Sequence, residues 1–217
     1  MAQPPEAHQP HAIREALRDP RVWLLGFFML LMLGSRYAYT FITPDLIQLS
    51  TGLGPARIGF LIAGLSFVGA IAMLLNAAHS VRRQERYFHA IPCAVIVSAG
   101  FFLCSVSLRP IVIIPALALN SIAYSAMQGP LWAIPGSFFQ GRTAAAGIAT
   151  LNSIGILGGF LGPYYMGFAK DLTGSYLTGM RLMALPMLLG CAILLYLRHI
   201  ANQRTALNTD ATPSTSN

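Results

Sequence analysis

Six long apolar runs are the feature of this sequence that most restricts its fold. A helix rises about 1.5 Å per residue, so roughly 20 apolar residues cross a hydrocarbon core about 30 Å thick. Backbone polar groups cannot remain unpaired in lipid, so each run is predicted to be a helix. The runs extend approximately from Val22 to Thr43, Ile58 to Ala78, Phe88 to Leu108, Ile111 to Pro135, Thr143 to Phe168 and Tyr176 to Leu197. The prediction is an all-α membrane protein with six transmembrane helices in a lipid bilayer.

Composition agrees with this prediction. Only 10% of the 217 residues are charged and 55% are hydrophobic, whereas a soluble domain carries about 25% charged residues. We predict a transmembrane bundle at residues 21–198, a polar cytoplasmic tail at 1–20 and a disordered cytoplasmic tail at 199–217. The net charge is +7, but the basic residues lie between the predicted spans. Nucleic acid is therefore not a predicted partner.

The usual signs of a metal, a cofactor or an enzyme are missing from the sequence. Cys93, Cys104 and Cys191 lie inside apolar runs without CxxC spacing, and the five histidines form no HExxH pattern. We therefore predict no metal site and no cofactor. No acid, nucleophile and base converge within the spans, so an enzyme is not predicted either.

Basic residues near the spans predict the orientation in the membrane. Nine arginines fall on one side of the predicted bundle, and three arginines and one lysine fall on the other. The first set is Arg14, Arg18, Arg21, Arg82, Arg83, Arg86, Arg142, Arg198 and Arg204, and the second is Arg57, Arg109, Lys170 and Arg181. This bias predicts a multi-pass inner-membrane protein with both termini in the cytoplasm.

The character of the spans repeats after three helices. The first and fourth spans carry polar side chains, the second and fifth are rich in glycine and other small residues, and the third and sixth are almost entirely apolar. Polar faces are expected to line a cavity, small residues to permit close helix contact, and apolar helices to face lipid. This pattern predicts two three-helix inverted repeats, as in each half of a major facilitator fold. The alternative is an unrelated six-helix bundle.

A polar stripe in the fourth span is the first candidate binding feature. Asn120, Tyr124, Gln128 and Trp132 recur every four residues, so they lie near one face of a helix. Amides, a phenol and an indole suit a polar organic solute. The alternative is that these side chains hydrogen-bond between helices.

Arg36 is the single strong charge well inside a predicted span, and Tyr39 follows it one turn later. A buried arginine costs at least about 2.5 kcal/mol on insertion scales, so it needs a partner. That partner is a substrate anion, a helix C-terminus or an acid on another polypeptide. The alternative is that Arg36 extends outward beside Asp45.

The fifth span contains two overlapping G-x-x-x-G pairs, Gly155 with Gly159 and Gly158 with Gly162, followed by Pro163. Small residues at this spacing allow another helix to approach closely. The pattern predicts such a contact without identifying the second helix.

The stretch "GPLWAIPGSFFQGRTAAAGIATLNSIGILGGFLGPYYMGFAKDLTGSY" resembles the tenth and eleventh helices of the anion:cation symporter family of the major facilitator superfamily. The family pattern has a tryptophan and a proline, then "GIALINSIGNLGGFVGPY" and "KDxTGS". The matching residues are Trp132, Pro135, Gly147, Asn152, Ser153, Gly155, Gly158, Gly159, Gly162, Pro163, Lys170, Asp171, Thr173 and Gly174. The resemblance implies that Trp132 and Asn152 belong to the substrate site.

An earlier segment, "HSVRRQERYFHA", resembles the family's "HSDRRGERRWHVA", although Val81 replaces its acid. The resemblance covers about Arg21 to Arg198 and makes the six spans equivalent to helices seven to twelve, a C-terminal half. The family's first six helices, which carry its signature loop and proton-coupling acids, are then absent from this sequence.

Two functions are expected. The first is a transporter of small organic anions such as carboxylates or sugar acids, completed by an N-terminal six-helix half or a second copy. Its predicted substrate-binding residues are Arg36, Tyr39, Asn120, Tyr124, Gln128, Trp132 and Asn152. The alternative is a truncated, non-transporting membrane protein or a helper that binds a full-length relative.

Overall fold

The computed structural model describes Arg14 and residues 17–137 and 141–210, with side chains left out at 137, 141–143 and 204–210. The described chain is helical without strands. Its long helices are α1 (Pro20–Thr51), α2 (Pro55–Arg83), α3 (Tyr87–Cys104), α4 (Pro110–Ala133), α5 (Gly141–Thr173) and α6 (Tyr176–Asp210), with a 3₁₀ turn at Pro135–Ser137. Each has a stretch long and apolar enough to cross a membrane, so the fold prediction is confirmed.

Prolines and glycines account for several helix boundaries. Pro20, Pro55 and Pro110 occupy the first turn of α1, α2 and α4, where a missing N–H costs nothing because it has no intrahelical acceptor. Gly52 ends α1 with φ 69°, and Gly174 follows α5 with φ 68°. Both are left-handed conformations that glycine adopts without steric penalty.

The final helix is longer than predicted. α6 continues to Asp210, so part of the segment predicted to be a disordered tail (199–217) is helical. Residues 198–210 contain neither proline nor glycine, and the His199 and Gln203 side chains are hydrogen-bonded one turn apart, with 2.8 Å between His199 Nε2 and Gln203 Nε2. At the other end Arg14, Leu17 and Arg18 are already helical. Residues 1–13, 15–16 and 211–217 of the predicted tails lie outside the described residues.

Helix pairing follows the predicted three-helix repeat. The main contacts are α1 with α5, α2 with α4, α3 with α4, and α3 and α1 with α6. The repeat makes α1 equivalent to α4, α2 to α5 and α3 to α6. When each helix is replaced by its equivalent, the α1–α5 pair becomes the α4–α2 pair and the α3–α4 pair becomes the α6–α1 pair. Since three crossings separate α1 from α4, the second repeat runs in the opposite direction to the first. The topology is therefore that of two inverted repeats.

Burial within the bundle differs from the sequence expectation. In the most apolar stretch of each helix, 11% of residues are buried in α2 and 22% in α5, against 50% or more in the other four. The apolar helices α3 and α6 pack on each other, and the Ser98 hydroxyl of α3 donates to the Ala184 carbonyl of α6 at 2.8 Å. α2 and α5 therefore have the largest faces that the chain itself does not cover.

The glycines of α5 meet α1. A Cβ added at Gly162 would lie 2.6 Å from the carbonyl carbon of Gly34, and one at Gly158 would lie 2.8 Å from the carbonyl carbon of Leu30. Ordinary carbon–carbon contacts begin near 3.5 Å, so only glycine fits at these two positions. The predicted close helix contact is confirmed, and its second helix is α1.

Candidate functional site

Arg36 lies at the midpoint of α1 and reaches the ring of Tyr124 on α4. Its guanidinium carbon is 5.2 Å from the ring centroid, within the range of a cation–π interaction. Its Nη1 atom is buried and has no hydrogen-bond partner among the described residues. The structure therefore holds a charged donor in the middle of the bundle, stacked on an aromatic ring and still able to donate.

Asp45 does not neutralise this charge. The Tyr176 hydroxyl donates to Asp45 Oδ2 at 3.2 Å and accepts from Lys170 Nζ at 2.8 Å. These contacts tie the ends of α1, α5 and α6 together at the far end of the bundle from the chain termini. In the described part of the chain, the one ion pair joins Asp19 and Arg21. The alternative in which Arg36 extends toward Asp45 is not supported.

Tyr39 and Tyr124 form the inner wall beside Arg36. Their ring centroids are 6.0 Å apart, and both side chains are buried. The Tyr39 hydroxyl donates to the Leu117 carbonyl at 2.9 Å, so it joins α1 to α4. The Tyr124 hydroxyl faces Ser35 without a hydrogen bond to any described residue.

Asn120 lies apart from this cluster. It is fully buried between α4 and α3, where a Cβ added at Gly100 would lie 2.7 Å from its Oδ1 atom. The Cys104 thiol is a second neighbour. The Nδ2 and Oδ1 atoms of Asn120 have no hydrogen-bond partner among the described residues. Asn120 therefore packs between α3 and α4 without forming an interhelical hydrogen bond and without lining an accessible cavity.

The end of the polar stripe that holds Gln128 and Trp132 is accessible. Trp132 Nε1 donates to Gln128 Oε1 at 2.9 Å, and the Trp132 side chain is 40% exposed. Asn152 is exposed on α5. The predicted site residues thus fall into three groups: Arg36, Tyr39 and Tyr124 inside the bundle, Gln128 and Trp132 nearer the end that holds the termini, and Asn120 and Asn152 each apart.

Sequence reasoning did not single out Asn76 or Ser35. The Asn76 side-chain amide of α2 donates to the Ala126 carbonyl of α4 at 2.8 Å and to the His89 carbonyl of α3 at 3.3 Å. The signal that could have identified Asn76 is a single amide side chain inside an otherwise apolar span. Ser35 directly precedes Arg36, but its hydroxyl bonds to its own helix, so no pattern separated it from a packing residue.

Six helices arranged as two inverted three-helix repeats are the architecture of half a major facilitator fold. The family model described as Major Facilitator Superfamily matches residues 2–163, which is more than half of the sequence. The chain therefore belongs to the major facilitator superfamily and is an integral membrane protein.

Similar proteins are named as transporters. The chain is 34% identical over 187 residues to a protein named "Putative tartrate transporter" from Agrobacterium vitis, covering 86% of this chain and 41% of that protein. It is 32% identical over 194 residues to a "Quinolone resistance transporter" of Acinetobacter baumannii, covering 89% of this chain and 44% of that protein. This chain thus spans less than half the length of both relatives.

A solved structure has the same fold. The fucose:proton symporter FucP of Escherichia coli superimposes with a TM-score of 0.74, at 18% identity, over 88% of this chain and 47% of that chain. At this identity the likeness concerns the fold alone.

Proposed function

We propose that this chain is one six-helix half, the C-terminal one, of a transporter for small organic anions such as carboxylates or sugar acids. The observation that carries the proposal is Arg36, whose buried Nη1 has no hydrogen-bond partner within the described residues. An unsatisfied buried donor costs about 1–3 kcal/mol, and more when charged. A carboxylate accepting from the guanidinium removes that cost and neutralises the charge.

The surrounding side chains support an anion with polar substituents. Tyr124 holds the guanidinium by its ring, while Gln128, Trp132 and Asn152 offer amides and an indole toward the accessible side. Tyr39 and Asn120 then hold the wall in position rather than touch the solute. The Agrobacterium vitis relative is named for tartrate, a molecule with two carboxylates and two hydroxyls, which matches such a site.

The uncovered faces of α2 and α5 support a second half. Phe60 and Phe67 on α2 and Phe160 and Tyr164 on α5 are each more than 60% exposed. Alternating access rocks one six-helix half against another around a central site, and these two helices are equivalent in the two repeats. We infer an N-terminal six-helix half, or a second copy, as the partner. The bias of basic residues near the spans supports a location in the inner membrane with both termini in the cytoplasm.

The alternative is a non-transporting protein or a helper that binds a full-length relative. The same exposed faces favour it, because they accept a partner whether or not transport follows. It requires no anion at Arg36.

Coexpression separates the two functions. The chain is produced with the remaining half of the Agrobacterium vitis relative, and uptake of radiolabelled tartrate is measured beside copurification of the halves. We expect uptake that Arg36→Gln abolishes and that Arg109→Gln, an exposed control at a helix end, leaves unchanged. Tartrate uptake that Arg36→Gln does not reduce would contradict the proposed site. Copurification without uptake of tartrate or other carboxylates would favour the helper.

A further inference from the structure

Tyr37 directly follows Arg36 at the midpoint of α1, and its side chain is 42% exposed. Its hydroxyl makes no hydrogen bond to another described residue. The residue lies about 20 Å along the helix from either end of α1, too deep to reach the polar surface of the bilayer. A phenol hydroxyl that faced lipid at this depth would leave its donor and acceptor unsatisfied. The position therefore calls for a polar neighbour from outside the described chain.

The direction of Tyr37 around α1 places it beside the proposed anion site. Successive residues of a helix turn by about 100°, so Arg36 and Tyr37 point about 60° and 40° to either side of Leu33. Arg36 turns toward Tyr124 on α4, and Tyr37 turns toward α5. Thr40, one turn further on and between the same two directions, is exposed. Arg36 and Tyr37 thus border one face of α1 that no other helix of the described chain covers.

The α5 helix supplies the other side of this space. A Cβ added at Gly155 would lie 2.8 Å from Leu33 Cδ1, and one at Gly159 would lie 3.2 Å from Tyr37 Cδ2. The exposed Asn152 lies about one turn before Gly155 and shares its face of α5. Tyr37 and Asn152 therefore border the same opening between α1 and α5, with Asn152 nearer the end that holds the termini.

Two contacts hold the Tyr37 ring in place. One edge of the ring packs on Gly159, where any side chain would displace it. Phe41, one turn later in α1, stacks on the ring with centroids 6.4 Å apart and an interplanar angle of 27°. A donor held in this way loses little conformational entropy when it binds a solute. A phenol hydroxyl both donates and accepts, which matches a hydroxyl group on the solute.

We propose that Tyr37 is a substrate contact that selects hydroxylated carboxylates over unsubstituted ones. Arg36 holds one carboxylate of the solute, and the Tyr37 hydroxyl forms a hydrogen bond with a hydroxyl group of the same molecule. A solute without that hydroxyl leaves the phenol unpaired in the occupied site, which weakens binding. The inference rests on the proposed function, because it takes Arg36 as the residue that binds the anion.

Uptake by the coexpressed halves tests the proposal with two anions that differ only in hydroxyl groups. Radiolabelled tartrate is the transported solute, and unlabelled succinate, the same dicarboxylate without hydroxyls, is the competitor. Tyr37→Phe should raise the KM for tartrate about fivefold, the loss of one neutral hydrogen bond, and leave the inhibition constant of succinate unchanged. Tyr196→Phe, the same change at an exposed position of α6, is the matched control and should alter neither value.

Thiol labelling tests the position of Tyr37 without requiring transport. The membranes contain both halves, with the three native cysteines replaced by alanine and no cysteine in the other half. Tyr37→Cys should react with a water-soluble maleimide, and excess tartrate should slow the reaction. Leu189→Cys, at an exposed position near the middle of α6, is the control that faces lipid and should not react.

The outcomes separate this inference from the proposed function. Equal changes in the tartrate and succinate constants, or no change in either, would overturn the inference even where Arg36→Gln abolishes uptake. Resistance of Tyr37→Cys to the maleimide would show that the position faces lipid or a partner helix, and labelling that tartrate does not slow would show that no solute covers it. Either labelling result would also overturn the inference. Uptake that Arg36→Gln does not reduce would instead contradict the proposed function itself.

Discussion

Alanine at Gly162 is expected to separate α1 from α5. The added Cβ would lie 2.6 Å from the carbonyl carbon and 2.9 Å from the Cα of Gly34, about 1 Å inside an ordinary carbon contact. The obstacle is backbone, which cannot rotate away as a side chain can. Overpacking costs about 1–3 kcal/mol, and we expect the upper end of that range. Alanine also gains up to about 1 kcal/mol of helix propensity over glycine, which masks part of the cost.

Gly167→Ala, five residues later in α5, removes that ambiguity. No atom lies within 4 Å of a Cβ at Gly167, so this variant gains the propensity without the clash. The difference between the two variants is then the clash alone, about 3 kcal/mol. Thermal unfolding in detergent, followed by circular dichroism, should place Gly162→Ala roughly 6–12 °C below Gly167→Ala. Equal midpoints would show that the crossing relaxes freely and would refute the reasoning.

Three further predictions follow from the bundle and its orientation. Tyr39→Phe removes the hydrogen bond to the Leu117 carbonyl and should lower the free energy of unfolding by about 1 kcal/mol. Tartrate uptake by the coexpressed halves should persist. Loss of uptake at normal stability would instead make Tyr39 a substrate contact. Alkaline phosphatase fused after Arg142 should be inactive and after Lys170 active, and the reverse would invert the topology. The chain alone in liposomes should not accumulate carboxylates under a pH gradient, because its six apolar runs contain no Asp or Glu that could carry a proton across the membrane. Accumulation abolished by a protonophore would refute this.

Hydropathy was sufficient to predict the number and order of the helices but not their ends. α1 continues through Pro44 to Thr51, because a proline removes one hydrogen bond without ending a helix whose neighbours hold it. The glycine spacing predicted a close contact, but its location on α1 depends on tertiary packing across more than 100 residues of sequence. No local pattern carries that information.

The polar stripe of α4 was only partly predictable. Residues four apart advance by about 40° around a helix of 3.6 residues per turn, so the stripe turns by roughly 120° between Asn120 and Trp132. Asn120 consequently faces α3, while Trp132 reaches the accessible side. His79 Nδ1 and His89 Nε2 lie 2.7 Å apart across the turn that contains the left-handed Gln84 (φ 53°), a contact that no sequence pattern predicted.

The crossing of α1 with α5 has a consequence for biogenesis. Helix α4 packs on α3, its neighbour in the sequence, and on α2, whereas the α1–α5 contact joins Gly34 to Gly162. At about 5–20 residues per second, ribosomes need roughly 6–26 s to synthesise the intervening segment. During that interval the glycine face of α1 lacks α5, and Arg36 lacks the Tyr124 ring until α4 has been made. The crossing of α1 with α5 is therefore completed only after the three helices between them have been made.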